Sequence, residues 1–253
     1  MEFHIRCDPA EIARYVFTPG DHDRARKIAE QFDEHHHVSD SRGYQVYSGT
    51  YRGVPMTVCS TGMGGPTVAI ALEELAHMGA EVFIRVGSCG VVQDGMTVGD
   101  VVIASGAVRF GGTGNAYLPL NFPAVPTFEV TRSLVDAATD LGVPVHVGLS
   151  ASGDAFYGPH RDRATLKAAG VKAVEMESDT LFVVGQYRGW RTGALFASDG
   201  TPTEIKPAWG EAAFRRGEAR AIQVALNAMV RIARADAAAP AAETQVGSGG
   251  RAV

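Results

Sequence analysis

The feature that most limits what this chain can fold into is an alternation. Short β-rich apolar runs end at glycine or another small residue, and segments with helical patterning lie between them. "RYVFTPG" runs as a strand into a Pro-Gly turn, and "DHDRARKIAEQF" follows as a helix with Asp21 at its N-cap. "VPMTVCSTG" and "EVFIRVGSCG" read as strands. The helix between them, "PTVAIALEELAHMG", has Pro66 in its first turn and Gly79 past its end. Further strands are expected in "GDVVIASGAV", "VPVHVGLSAS", "VKAVEME" and "TGALFAS". Further helices are expected in "FEVTRSLVDAATDLG", "DTLFVVGQYRG" and "WGEAAFRRGEARAIQVALNAMVRIARA". The pattern predicts an α/β fold, a single domain with a central mixed and mostly buried β-sheet flanked by helices.

Composition narrows the partners. The 253 residues suffice for a sizeable core, and 45% hydrophobic with 20% charged residues is ordinary globular usage. A net charge of −5 argues against nucleic acid, which calls for a basic footprint. No apolar run reaches the roughly 18 residues of a membrane span, so no membrane partner is expected. "MEFHIRCDPA" lacks the basic and apolar regions of a secretory signal, and Cys7, Cys59 and Cys89 form no CxxC, so a reduced cytoplasmic setting is expected. Residues 1–235 read as the domain. Residues 236–253, "DAAAPAAETQVGSGGRAV", are small and polar and predict a disordered tail. His35 to His37 read as a solvated loop and no metal is expected, since no Cys or acidic cluster with zinc-ligand spacing accompanies them.

Three turns carry candidate chemistry at the strand ends, where open α/β sheets bind ligands. "TPGDHDR" sets Gly20 at a strand exit with Arg24 one turn into the helix, a geometry that favours an anion. "FIRVGSCG" puts Arg85 inside an apolar strand, where it needs a partner, and Ser88 three residues on. A guanidinium and a hydroxyl converging there suit a phosphate, or the arginine pairs with a carboxylate. "STGMGGP" is a third small-residue turn. In "AVEMESDT", strand periodicity points Glu175 and Glu177 the same way and Met176 the other, at the end of an apolar run. Two such carboxylates are either solvated or grip a ligand.

"PGDHDR", "CSTGMGGPTVAIALEEL", "IRVGSCG", "FPAVPTFEV", "FY" and "VEMES" occur in this order across His4 to Ala235. Together they closely resemble the trimeric and hexameric nucleoside phosphorylases, the family of bacterial uridine phosphorylase and the bacterial-type purine nucleoside phosphorylase. The resemblance implies attack of phosphate on ribose C1′ through an oxocarbenium-like transition state, with inorganic phosphate as co-substrate and no other cofactor. It implies a phosphate site of Gly20, Arg24, Arg85 and Ser88, completed by Arg42 from a neighbouring subunit. It implies that Glu177 holds the ribose hydroxyls, with Met176 as an apolar wall and Glu175 and Phe156 beside the nucleoside. His4 is similar to a histidine that reaches the neighbour's sugar. A homo-oligomer follows, a hexamer built as a trimer of dimers. A strict strand would point Met176 away from the two acids, so the segment is expected to bend or end there.

For the base, "FYGPHRDR" carries His160 and Asp162 where uridine enzymes have a Gln and an Arg, and the segment from Phe156 to Glu175 is short. "LFASDGTP" sets Asp199 where purine enzymes carry an acid that protonates N7. Such an acid needs a raised pKa. Its expected partner is an arginine of the last helix, with Arg215 and Arg216 nearby though neither aligns cleanly. The leading expectation is purine nucleoside phosphorolysis, with Asp199 and Arg85 catalytic. Uridine or broad-specificity phosphorolysis is the rival. A nucleosidase is disfavoured by Arg24, Arg42 and Arg85, and a silent binding module by the full set of acids and arginines.

Overall fold

The structure, a computed structural model, describes residues 2–157 and 162–239. The first strand, β1 (Tyr15–Phe17), leads through Gly20 into α1 (His22–Ala29), where the Asp21 side chain accepts the Asp23 N–H. An antiparallel meander follows: β2 (Glu34–Ser41), β3 (Tyr44–Tyr51) and β4 (Val54–Cys59). Both of its turns are Arg-Gly pairs with positive φ throughout, +50° and +85° at Arg42-Gly43 and +51° and +77° at Arg52-Gly53. That is the pattern of two-residue turns whose twist matches the flanking strands.

The chain continues through α2 (Gly65–His77), β5 (Val82–Val91), β6 (Val101–Arg109), α3 (Phe128–Asp140), β7 (Val145–Ser152) and α4 (Arg163–Ala168). It ends with β8 (Ala173–Glu175), α5 (Ser178–Arg188), β9 (Arg191–Ser198) and α6 (Glu211–Ala238). The described strands form one mixed sheet in the order β2-β3-β4-β1-β5-β8-β7-β6-β9, and β9 also pairs with β5. Strands β5, β8, β7, β6 and β9 therefore close into a ring, a feature beyond the flanked sheet expected.

Alternation along β5 separates two cores. Val82, Ile84 and Val86 pack with α1, α3 and α6. Phe83, Cys89 and Val91 pack with α2 and α5. Arg85 shares the parity of Phe83 and so faces the α2 and α5 side. Its face is apolar on both flanks, which leaves its charge to be met by groups at the helix starts.

Two expectations change. His35 to His37 lie in β2, not in a loop, and are exposed at the end of the sheet order. His36 pairs with Glu11 at 2.7 Å, and no metal-binding cluster occurs among the described residues. The break at Asp236 also comes too early. Helix α6 runs on to Ala238, and Asp236 accepts hydrogen bonds from Tyr15 Oη at 2.9 Å and from both terminal nitrogens of Arg191 at 2.8 and 2.5 Å. Residues 240–253 of the predicted tail lie outside the described residues. No described helix is long and apolar enough to cross a membrane.

Candidate active site

Strand β8 ends the way two clustered carboxylates require. It runs antiparallel to β5 with Val174 opposite Gly90, so Glu175 arrives beside Cys89 and the chain then turns back toward Arg85. Glu175 is the last strand residue. Glu177, at φ −139° and ψ −22°, is the N-cap of α5. The strand thus ends between the two acids, with Met176 half-buried between them.

Glu175 closes the start of α5. Its carboxylate accepts the backbone N–H of Glu177 at 3.0 Å, that of Ser178 at 3.0 Å and the Ser178 hydroxyl at 2.5 Å. These are donors a helix start leaves unpaired. Burial nevertheless raises the Glu175 pKa, against the pull of the Arg85 guanidinium. Glu177 reaches the other helix start: its Oε1 accepts the Gly64 N–H at 2.7 Å, and its Oε2 accepts from Arg85 Nη2. Gly64 sits at φ +94° and ψ 161°, a conformation essentially closed to residues with a Cβ, and this aims its N–H at the acid.

Arg85 is the centre of the cluster. It is 5% exposed, pairs with Glu177 and lies 3.4 Å from Glu175 through Nε. Its Nε and Nη1 are nonetheless buried with no hydrogen-bond acceptor. Buried donors without partners are costly and uncommon, and these two keep hydrogen-bonding capacity for a ligand's oxygens. Gly20 lies against the free Nη1. A Cβ there would sit 3.6 Å from Nη1 and 2.7 Å from the Gly62 carbonyl oxygen. The close approach of the Gly20 and Gly62 backbones beside the guanidinium thus depends on a missing side chain. Ser88, half-buried, follows three residues along β5.

Arg24 is buried at the same end of the sheet, but its Nε is held by Glu218 of α6 at 2.7 Å and its Nη1 points at the Val86 carbonyl at 3.4 Å. Glu218 also takes Lys27 at 2.8 Å. Sequence reasoning missed Glu218, although a glutamate between Gly217 and Ala221 on a buried helix stripe was a usable signal.

Asp199 follows β9, and its N–H donates to the Cys89 carbonyl at 2.9 Å, which ties it to the exit of β5. Burial raises its pKa, opposed by Lys206 and, from farther off, Arg24. Its cation is Lys206, with Nζ 3.3 Å from Oδ2. Neither expected arginine takes that place: Arg215 bonds Glu211 one turn back and is 70% exposed, and no contact joins Arg216 to Asp199.

The remaining expected residues lie apart. His4 bonds Glu74 of α2 through Nδ1 at 2.5 Å and through its N–H at 3.0 Å. Burial pushes Glu74 up, but the N–H groups of Ile5 and His4 and the His4 ring outweigh it and hold it below the usual range. Glu74 is nine residues along α2 from Gly65, about 13 Å by helical rise. Arg42 stacks over the Phe3 ring at 4.8 Å, and Phe3 meets the His4 ring edge-on at 4.9 Å. His4 and Arg42 therefore share one patch, and no described contact joins either to Arg85. Phe156 is 54% exposed after β7, edge-on to Tyr157. Asp162 caps α4, and His160 lies outside the described residues.

An α/β ring with a buried arginine between two carboxylates, and a half-buried acid at the next strand exit, is the candidate active site. The chain belongs to the phosphorylase superfamily, which it matches over residues 14–233, and within it to the nucleoside phosphorylases, which are pentosyltransferases. It is 43% identical over 236 residues to a uridine phosphorylase of Thermococcus kodakarensis, with 87% of this chain and 85% of that one covered. It is 38% identical over 198 residues to a guanosine phosphorylase of Halorubrum lacusprofundi, covering 78% and 82%. Against a uridine phosphorylase of Escherichia coli it is 37% identical over 211 residues, covering 76% and 83%.

Proposed function

We propose that this nucleoside phosphorylase has broad base specificity, cleaving uridine and 6-oxopurine nucleosides with phosphate to give free base and pentose 1-phosphate. The observation that carries phosphate as nucleophile is Arg85, whose buried Nε and Nη1 lack hydrogen-bond acceptors beside the close backbone approach at Gly20. Phosphate oxygens fill that need, with Arg24, Ser88 and the start of α1 adding charge and donors. Phosphate forms the new bond to C1′ as the C1′–N bond breaks and its electron pair leaves with the base. Glu177 binds the ribose hydroxyls. Each of its oxygens accepts one protein donor and keeps a lone pair for a hydroxyl. Glu175 fixes the start of α5 and adds negative charge near the positive transition state.

For the base, two observations pull apart, and together they favour breadth. Several relatives are named uridine phosphorylase and one guanosine phosphorylase, so the purine preference expected from Asp199 has less support than a wider range. Asp199, raised by burial, is suited to protonate a departing purine at N7. The separation of His4 and Arg42 from Arg85 supports their completing the site of a second copy, in a hexamer built from dimers. The test is a panel of uridine, inosine, guanosine and adenosine assayed for base release with phosphate. Turnover of uridine and of inosine or guanosine is expected. Turnover of uridine alone would overturn the breadth and leave Asp199 without its role.

A further inference from the structure

We propose that Lys206 is a positioning residue for Asp199: its ammonium fixes the carboxyl at the base and neutralises the carboxylate left once the proton has gone to a purine. This rests on the reading that Asp199 protonates the leaving base.

The loop after β9 is built to return Lys206 to Asp199. Gly200 bridges Ile205, Thr201 N–H donates to the Glu204 carbonyl at 2.8 Å, and the Thr201 hydroxyl accepts the Glu204 N–H at 3.0 Å. The turn so closed puts Nζ 3.3 Å from Asp199 Oδ2. Lys206 has φ +48°, a left-handed conformation that a lysine adopts at a cost, and it directly precedes Pro207, which restricts it further. Strain of this kind persists where the surroundings enforce it, and here it falls on the residue that supplies the cation.

Among the described residues, no other cation pairs with Asp199. From α1, Arg24 acts on Asp199 at longer range, but Glu218 of α6 takes its Nε. From β5, the Cys89 thiol is pushed well up by burial and stays neutral. Asp100, ahead of β6, has its carboxylate on the Thr97 N–H and near His146. Lys206 itself is 64% exposed and Asp199 18%, so the side chain reaches the carboxyl from the solvent side.

The step balances simply. The carboxyl O–H of Asp199 breaks, an N7–H bond forms on the purine, and the carboxylate so made stays beside the ammonium. On the plateau below the limb, where Asp199 is protonated, a stronger acid donates better in the transition state, so there Lys206 raises the rate on bases that need the proton. It also sets the alkaline limb. Asp199 acts when protonated, so activity is present below its pKa and lost above it. Burial moves that limb up and Lys206 moves it down.

The experiment compares wild type, Lys206→Met, Lys206→Arg and Asp199→Asn. It uses pH profiles of kcat on inosine and on 7-methylguanosine, whose base already carries the charge. Lys206→Met is expected to move the inosine limb up by about one pH unit and lower the plateau about 10-fold. It should spare 7-methylguanosine, and Lys206→Arg should restore both. A 13C-carboxyl titration of Asp199, assigned by its loss in Asp199→Asn, should show the same upward shift without substrate. An unmoved limb and titration, with both substrates slowed alike, would overturn the role of Lys206. Asp199→Asn that leaves inosine turnover intact would instead overturn the reading of Asp199, whatever Lys206 does.

Discussion

Replacing Arg85 with methionine keeps much of the volume and removes the only charge shared by Glu175 and Glu177. Breaking a buried ion pair by deleting one partner costs about 3–5 kcal/mol, because the other charge stays buried. Here the acids keep other donors: Gly64 N–H on one, and the N–H groups of Glu177 and Ser178 with the Ser178 hydroxyl on the other. The loss should therefore lie near the lower end, about 3 kcal/mol, which lowers the melting temperature by about 6–12 °C for a chain of this size. The deficit should depend on pH. Without the guanidinium, the two acids repel and at least one has its folded-state pKa lifted above the unfolded value of about 4.3. The penalty is absent below that value and grows as pH rises through the lifted pKa, so the gap to wild type narrows toward acid. In kinetics the loss falls on phosphate. One charged hydrogen bond is worth about 1.5–3 kcal/mol, so kcat/KM for phosphate should drop about 10- to 100-fold or more, with KM for nucleoside moving far less. Calorimetry at fixed protein concentration from pH 5 to 8, with phosphate titrated at saturating nucleoside, reads both effects. A pH-independent stability loss with an unchanged phosphate KM would refute the reasoning, since Arg85 would then be only a packing residue.

Two further outcomes follow from the same structure. Mixing inactive Arg42→Ala with inactive Glu177→Ala protein under subunit exchange should restore part of the activity, because a mixed site regains both groups; an active monomer in sedimentation would contradict shared sites. Asp236→Asn should cost about 1–3 kcal/mol in thermal or urea unfolding, through its hydrogen bonds to Arg191 and Tyr15. Bonding to Arg191, against the upward push of burial, holds the Asp236 pKa down, so its contribution is present above about pH 3.9 and disappears as pH falls through the lowered value; an unchanged acid limb in the variant would contradict this.

Much of the fold was legible because its buried strands carry the apolar, glycine-terminated signature that burial on two faces demands. The meander of β2 and β3 was not. Its residues are polar because β2 ends the sheet order and is largely exposed, so "EHHHVSDS" lacks the alternation that marks a half-buried strand. The Arg-Gly pairs were the available hairpin signal, hidden because arginine rarely takes positive φ. In the site, Arg85, Glu175 and Glu177 could be found because charge inside an apolar run is conspicuous. Their pairing could not, since Arg85 meets Glu177 across 92 residues of chain. The partner of Asp199 was sought on α6 by resemblance and lies in the preceding loop at Lys206, where a Lys-Pro pair in a polar turn gives no periodic cue. The end of the domain was misjudged at Asp236 because an alanine-rich stretch reads as weakly apolar, while a partly buried ion pair to Arg191 ties down its last turn.

The central claim is that a phosphate at Arg85 is the nucleophile. It is tested most directly by following a nucleoside reaction by 31P NMR while free base is quantified. The account predicts one pentose 1-phosphate formed and one inorganic phosphate consumed for each base released, with release ceasing when phosphate is removed. Base release at an undiminished rate in phosphate-free buffer, with free pentose as the other product, would contradict it.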